Sequence, residues 1–226
     1  MFLLFAVAFL QGCGLIGILG TESAAEKKIP AQYRFDVGNQ KKVEPGQEKK
    51  ILVLVNQPSY INAPPILRQV LTEQIQARLI MNAKLNAANF ITYQALSDYR
   101  SKELNFYSMK AGEIGKALKA DWLLVADLTG YKLINSIEET NYYGGTLTGK
   151  VFVIETASGY KVWPTDSEGI NINVGFDVER RGSEYSLIRL AAAFAHCATR
   201  YLYDCQENRF KIADDKSASV WSQWGD

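Results

Sequence analysis

Histidine and cysteine are scarce in this chain of 226 residues, which contains one histidine and three cysteines. Such small numbers exclude most zinc sites and most hydrolytic triads, because those sites combine several of these side chains. Lysine and arginine (25) nearly balance aspartate and glutamate (24), so there is no excess of positive charge for a nucleic-acid backbone. Charged residues at 22% and hydrophobic residues at 47% are close to the globular average, which excludes wholesale disorder, a coiled coil and a polytopic membrane protein.

The first twenty residues carry no charge and are mostly apolar. An apolar core followed by small residues is typical of an export signal. The phrase Leu10-Gln11-Gly12-Cys13 resembles the lipobox of bacterial lipoproteins, in which the cysteine thiol is alkylated with diacylglycerol and the chain is cut directly before it. The resemblance implies that residues 1–12 are a signal peptide and that Cys13 is the lipidated first residue.

Two alternatives stay open for this segment. Its twenty residues are just long enough for an uncleaved membrane helix, and the third possibility is a soluble chain with a buried N-terminus. No lysine or arginine precedes the apolar run, although signal peptides normally begin with a positive region. The lipobox and the membrane helix both place the domain outside the cytoplasm. Gly14 replaces the aspartate that signals inner-membrane retention, which favours the outer membrane and leaves the inner membrane as the alternative.

Residues 13–49 are predicted to be a lipidated N-terminus and a flexible linker, because the polar stretch from Thr21 to Lys50 has no sustained apolar period. The folded domain is predicted over 50–210, followed by a C-terminal tail at 211–226. Apolar runs, and alternation of apolar with polar residues, predict strands at 51–55, 90–93, 122–128, 146–156, 160–163 and 170–178. Apolar residues at helical spacing predict helices from Pro64 to about Lys84, at about 94–102 and 109–119, and from Glu184 to about Cys205.

This alternation of strands and helices predicts an α/β (α+β) fold with a mixed sheet of about five strands packed with helices. The residues that carry a family pattern are Ile114, Gly115, Leu118, Ala120, Asp121, Leu123 to Asp127, Val151, Val153, Thr156, Gly159, Val162 and Trp163. Together with the order of elements over about 50–205, they resemble the periplasmic domain of the curli-secretion lipoprotein family, and the N-terminal domain of the TolB protein is similar. The resemblance implies an exported, membrane-anchored α/β domain.

Channel-forming members of that family need two long amphipathic hairpins per subunit. This chain offers one candidate, around 131–156, which is interrupted by Gly144-Gly145, a pair that signals a turn. A scaffold or accessory lipoprotein therefore fits better than a channel subunit, which stays the alternative.

The histidine and two of the cysteines lie in the predicted final helix. His196 and Cys197 are adjacent, so their side chains point about 100° apart and do not form a nucleophile–base pair; packing is the expected role. A disulfide between Cys197 and Cys205 is possible and requires that the helix end near Tyr201. If the helix continues through both, they lie about 12 Å apart and cannot be bridged.

Four carboxylates lie near predicted strand ends or turns. Capping and turn roles are favoured for Asp121, Asp127, Asp166 and Glu168, because neither histidine partners nor the spacing of a calcium loop accompanies them. A deep pocket lined by Asp127 and Asp166 would instead favour an envelope enzyme with a carboxylate-based site.

Exposed aromatic residues are the best candidates for partner binding. Tyr142 and Tyr143 lie beside the double glycine, and Trp221 and Trp224 lie in the last six residues. The alternative for the tryptophans is a tail that folds back onto its own domain.

The sequence thus predicts a non-catalytic, outer-membrane-anchored lipoprotein that faces the periplasm and acts as a scaffold or accessory subunit of envelope or secretion assemblies. Its expected partners are the membrane, through the lipid on Cys13, and other envelope proteins, with a homo-oligomer as a further option. No cofactor, metal or nucleic acid is expected. The alternatives are a subunit of an oligomeric secretion channel and an envelope enzyme.

Overall fold

A computed structural model describes residues 27–38, 48–136, 142–179 and 182–211. They form a mixed five-stranded sheet packed with helices, which confirms the predicted α/β fold. The strands are β1 (Lys28–Ile29), β2 (Ile51–Asn56), β3 (Trp122–Ser136), β4 (Tyr142–Glu155), β5 (Lys161–Trp163), β6 (Ile170–Glu179) and β7 (Cys205–Gln206). The helices are α1 (Ile66–Asn82), α2 (Tyr93–Lys102), α3 (Ala111–Ala117), α4 (Ser183–Thr199) and α5 (Glu207–Phe210), with single 3₁₀ turns at Ala87–Asn89 and Phe106–Ser108.

The sheet begins with a parallel pair. Strands β2 and β3 align Ile51 with Trp122 and Asn56 with Asp127. Strand β4 returns antiparallel to β3 and pairs along its other edge with β6 and, near its end, with β5. Every residue from Ile51 to Val55 is buried, because both faces of the sheet are covered at this point.

Two buried clusters lie on the two faces of the sheet. Residues Ile51, Val53 and Val55 of β2 contribute to the larger cluster with α1 and α4, whereas Leu52 and Leu54 contribute to the smaller one with α2 and α3. Among the helices of the described residues, none combines the length and apolar character needed to cross a membrane. The apolar stripe predicted for α1 supplies four residues to the larger cluster: Leu67, Leu71, Ile75 and Leu79.

The strand predicted at 90–93 is wrong. Phe90 forms a single parallel bridge with Ile51, and α2 begins at Tyr93. The side chain of Thr92 accepts a hydrogen bond from the backbone N–H of Ala95 at 3.2 Å, which caps the helix. A capped helix start therefore overrides the β propensity of these residues.

Helix α4 is shorter than predicted, since it ends at Thr199 and Cys205 lies in β7. Strand β7 pairs antiparallel with β1, placing Cys205 opposite Ile29. The helix therefore ends where the sequence analysis required it to end for a disulfide. Within the described residues, however, Cys197 and Cys205 are both buried thiols and no disulfide joins them.

Residues 27–38 differ from the predicted linker. Beyond the β1–β7 pair, Phe35 and Val37 are buried in the larger cluster. The ring of Phe35 contacts Trp122 edge-on, with 5.9 Å between ring centroids. This segment belongs to the domain because burial of its apolar side chains outweighs its polar composition.

Gly144 and Gly145 lie inside β4 and not in a turn, so that prediction is wrong. A Cβ atom at Gly145 would lie 3.0 Å from Cδ1 of Leu190 in α4. The missing side chain lets α4 approach the strand closely.

Candidate functional site

A small apolar cleft lies at the carboxyl end of β2, where the sheet meets the segment between α2 and α3. The parallel pairing of β2 with β3 stops there, at Asn56 and Asp127, although β3 itself continues to Ser136. Crevices at the carboxyl ends of parallel strands are the usual binding places of open α/β sheets. Its volume of about 150 Å³ accommodates a group of the size of a benzene ring. The cleft is lined by Leu54, Asn56, Phe106, Tyr107, Met109, Ala111, Ile114, Val125, Asp127, Phe152 and Ile154.

One wall of the cleft is the turn between α2 and α3, and Phe106 anchors it. This ring is buried in the smaller cluster, packs edge-on against Tyr99 at 6.1 Å and lies under the guanidinium of Arg100 at 4.9 Å. With Phe106 pointing inward, its neighbours Leu104 and Tyr107 are 96% and 77% exposed. Exposed apolar and aromatic residues next to an apolar cleft are typical of an interaction surface.

Among the described residues that line the cleft, Asp127 is the only carboxylate. Its side chain forms a hydrogen bond with that of Asn56, while its Oδ1 atom is buried without a hydrogen-bond partner. Burial raises the pKa of Asp127, and the Asn56 hydrogen bond and the charge of Lys150 oppose this shift. Lys150 lies opposite Asp127 in β4, but its Nζ donates to Oε2 of Glu168 at 2.8 Å. Asp127 therefore retains an unused hydrogen-bond acceptor beside the cleft.

The other predicted carboxylates lie elsewhere. Asp121 accepts the backbone N–H of Lys50 at 2.7 Å, in agreement with the predicted structural role. The Lys150 ammonium lowers the pKa of Glu168, which forms a surface ion pair. Asp166 is exposed and is not among the described residues that line the Asp127 cleft, so this cleft is not the pocket of two aspartates that would favour the enzyme alternative. Among the described residues no group of three or more histidine, cysteine, aspartate or glutamate side chains could hold a metal ion.

The single histidine is buried and lies in the last turn of α4. Nε2 of His196 is 3.1 Å from the carbonyl oxygen of Arg209. Burial, assisted by the charge of Arg78, lowers the pKa of His196 to about 4, so the ring is neutral at physiological pH. Cys197 is also buried. These positions agree with the packing role predicted from the sequence.

None of the residues predicted for partner binding is among the described residues that line the cleft. Cys13, Trp221 and Trp224 lie outside the described residues, as does the side chain of Tyr142. Tyr143 is partly buried against the larger cluster.

Sequence reasoning missed the exposed pair Leu104 and Tyr107. The available signal was the short run Leu104-Asn105-Phe106-Tyr107 between two predicted helices, which is too short for an element of its own.

No family model matches the sequence, and no curated protein matches it. Among solved structures, the lipoprotein GNA1162 from Neisseria meningitidis is 13% identical, with 64% of this chain and 94% of that chain covered and a TM-score of 0.41. The PelC dodecamer from Paraburkholderia phytofirmans is 10% identical over 69% of this chain and 89% of that chain, with a TM-score of 0.42. The LpoB C-terminal domain from Salmonella enterica is 16% identical over 56% of this chain and 81% of that chain, with a TM-score of 0.31.

The solved structures that this chain resembles thus include a bacterial lipoprotein. These identities describe a likeness of fold and nothing more. The resemblance to the curli-secretion and TolB families stays a prediction.

Proposed function

We propose that this chain is a non-catalytic envelope lipoprotein, anchored through Cys13 in the outer membrane and facing the periplasm, which binds another envelope protein as a scaffold or accessory subunit. The observation that carries the proposal is the apolar cleft lined by the exposed side chain of Tyr107, with exposed Leu104 three residues earlier in the same turn. A soluble domain gains nothing in stability from such residues in water, whereas an interface buries them.

The chemistry of the cleft favours a partner segment that inserts a lysine or arginine side chain. The aliphatic part of such a side chain would pack against Phe106, Met109 and Phe152, which line the cleft. Its charged end would donate to the carboxylate of Asp127, whose Oδ1 atom has no partner within the chain. A bound cation would also stabilise the ionised form that burial disfavours.

The same arrangement supports binding over catalysis. Acid–base catalysis with carboxylates usually employs two positioned groups, one as acid and one as base. Among the described residues that line the cleft, Asp127 is the single carboxylate and lies beside the neutral amide of Asn56.

Site-specific photo-crosslinking in intact cells tests the proposal. A photoreactive phenylalanine analogue at Tyr107 is expected to yield one discrete crosslinked product, identified by mass spectrometry. The matched control is Tyr160, which is 76% exposed compared with 77% for Tyr107 but does not line the cleft. A product of twice the mass of the chain would identify a second copy as the partner. No product at Tyr107, or the same products at both positions, would contradict the proposed surface.

Two variants separate the parts of the proposal. Asp127→Asn removes the charge, retains the size and is expected to weaken the Tyr107 crosslink. Cys13→Ala is expected to lack the diacylglyceryl mass in intact-protein spectra. It is also expected to lose the crosslink, because the unanchored chain is no longer held at the membrane, even though the cleft is intact. An unmodified wild-type chain that retains Met1 would contradict the anchor but not the cleft.

A further inference from the structure

Two edges of the sheet have backbone groups to which the described residues offer no partner strand. Strand β3 pairs with β2 only as far as Asp127, and within the described residues its run from Leu128 to Ser136 pairs with β4 alone. Strand β6 pairs with β4 along one edge, and no strand of the described residues pairs with its other edge. Open edges of this kind accept further strands through main-chain hydrogen bonds.

Alternate residues of β3 point their backbone groups at its open edge. A Cβ atom on Gly145 would lie 3.2 Å from the carbonyl oxygen of Lys132, so this carbonyl faces β4. Because the backbone groups of successive residues alternate between the two sides of a strand, those of Tyr131, Leu133 and Asn135 face away from β4. No backbone hydrogen bond between described residues satisfies these outward groups.

The same alternation holds in β6. A Cβ atom on Gly175 would lie 3.1 Å from the carbonyl oxygen of Gly145, so that carbonyl faces β6, where Gly145 is paired with Phe176. The N–H and C=O groups of Asn171, Asn173 and Gly175 consequently face the open edge. Each edge therefore offers a row of donors and acceptors, and neither run contains a proline that would interrupt it.

The two open edges lie at the same height in the sheet. Strand β6 extends along β4 from Val151 to Tyr143, and these rows hold residues 126–135 of β3 on the other side of β4. Both strands run antiparallel to β4, so a second copy set beside the first brings its β3 level with β6 as a parallel neighbour. Leu133 and Val174 both pack against the larger cluster, so the helices stay on one face of the joined sheet.

Charge favours a contact between unlike edges. Strand β6 contains Asp177 and Glu179 and no basic residue, whereas the run of β3 from Leu128 to Ser136 contains Lys132 and no acidic residue. Opposite charges on neighbouring strands are favourable, and like charges are unfavourable. A β3 edge against a β6 edge combines opposite charges, which two β6 edges or two β3 edges do not.

We propose that this chain assembles with copies of itself by pairing the open edge of β3 in one copy with the open edge of β6 in the next. Each copy then keeps one edge of each kind available, so the contact is heterologous and repeats from copy to copy. The main chain supplies the hydrogen bonds, and the half-buried side chains of Tyr131 and Leu133 become covered by the adjoining β6. The contact needs neither a ligand in the Asp127 cleft nor the lipid on Cys13.

Cysteine crosslinking tests which edges meet. Thr129 and Asn173 are exposed and lie beside Thr148 on opposite sides of β4. In the proposed assembly Asn173 of one copy lies about 5 Å, one strand spacing, from the row of Thr129 in the next copy. Thr129→Cys and Asn173→Cys are made separately in the full Cys13→Ala chain, purified in detergent, mixed and treated with a short bismaleimide.

A crosslinked dimer is expected from the mixture of the two variants and from neither variant alone. The matched control replaces Thr129→Cys by Ser158→Cys, an exposed position in the turn between β4 and β5, and should give no dimer. A dimer from Asn173→Cys alone would show that two β6 edges meet and would overturn the proposal. No dimer from the mixture, or an equal yield with Ser158→Cys, would overturn it as well.

A proline variant tests whether main-chain hydrogen bonds hold the contact. Asn173→Pro removes an N–H that faces the open edge and leaves the bonds to β4 in place, whereas the control Asn173→Ala keeps this N–H. Native mass spectrometry of the full Cys13→Ala chain is expected to show assemblies of more than two copies, unchanged in Asn173→Ala. Asn173→Pro is expected to associate about tenfold more weakly, because a hydrogen bond is lost at each contact.

The contrary results are equally clear. A chain with native edges that stays a monomer or stops at a dimer would overturn the proposal, as would an Asn173→Pro chain that assembles like Asn173→Ala. If Asn173→Pro lowers thermal stability, Asn135→Pro and Asn135→Ala make the same comparison on β3, where Asn135 is exposed.

Discussion

Two glycines of α3 are expected to respond in opposite directions to replacement by alanine. Gly112 and Gly115 lie three residues apart in the same short helix. A Cβ atom at Gly115 would lie 2.5 Å from Cδ1 of Leu123 and 2.9 Å from Oγ1 of Thr156. At Gly112 the nearest heavy atom would be the Cα of Gly159 at 3.4 Å, an ordinary contact.

The magnitudes follow from this difference. Both Leu123 and Thr156 are buried, so neither side chain can move aside without disturbing the core. Overpacking costs about 1–3 kcal/mol, and alanine returns up to about 1 kcal/mol in helix propensity, so Gly115→Ala should lower the free energy of unfolding by about 1–2 kcal/mol. Gly112→Ala makes no such clash and should raise the free energy of unfolding by about 0.5–1 kcal/mol.

Thermal and urea unfolding monitored by circular dichroism measure both effects. For a chain of this size about 1 kcal/mol shifts Tm by about 2–4 °C, so the two variants should fall on opposite sides of the wild type. A Gly115→Ala protein with a Tm at or above that of the wild type would refute the reasoning, because α3 would then not be seated against Leu123 and Thr156. A destabilised Gly112→Ala protein would refute the assignment of that glycine to an open position.

Two further predictions test other parts of the fold. Phe35→Ala should lower the free energy of unfolding by about 3 kcal/mol because a buried ring that contacts Trp122 is lost, whereas a residue of a free linker would leave the urea midpoint unchanged. His196 has a pKa of about 4 in the folded state, below its usual value of 6.5, so its contribution to stability is complete above pH 6.5 and is lost as the pH falls toward 4. The free energy of unfolding should fall by on the order of 2–3 kcal/mol across this pH range. In His196→Gln, which does not titrate, the free energy of unfolding should depend less steeply on pH between 4 and 6.5. An equally steep pH dependence in the wild type and the variant would contradict the lowered pKa of His196.

The parts of the fold that the sequence predicted are those with a strong local pattern. Residues 51–55 and 122–126 are continuous apolar runs, and such runs form buried strands wherever helices cover both faces. The apolar stripe of α1 was predicted equally well, because four of its leucine and isoleucine residues repeat at helical spacing. In contrast, Phe90 to Tyr93 have β propensity but make only a single bridge to β2, at Phe90, and the cap at Thr92 begins a helix in place of a strand.

The sequence predicted only part of the candidate cleft. The sequence identified Asp127 as a carboxylate near the end of a predicted strand. It did not identify Asn56 as the neighbour of Asp127, because the parallel register of β2 and β3 brings the two residues together. Leu104 and Tyr107 carry no periodic signal. Their exposure follows from the inward orientation of Phe106, which is a property of packing and not of local sequence.

The sequence by itself determined the class of fold and the positions of most helices and strands, because hydrophobic periodicity is a local property that each segment carries with it. Only the tertiary structure decided which distant residues meet. It joined β1 to β7, drew residues 27–38 into the domain, and separated Asp166 from the Asp127 cleft. Contacts of this kind depend on strand register and on helix packing across the whole sheet, and no short stretch of sequence encodes them.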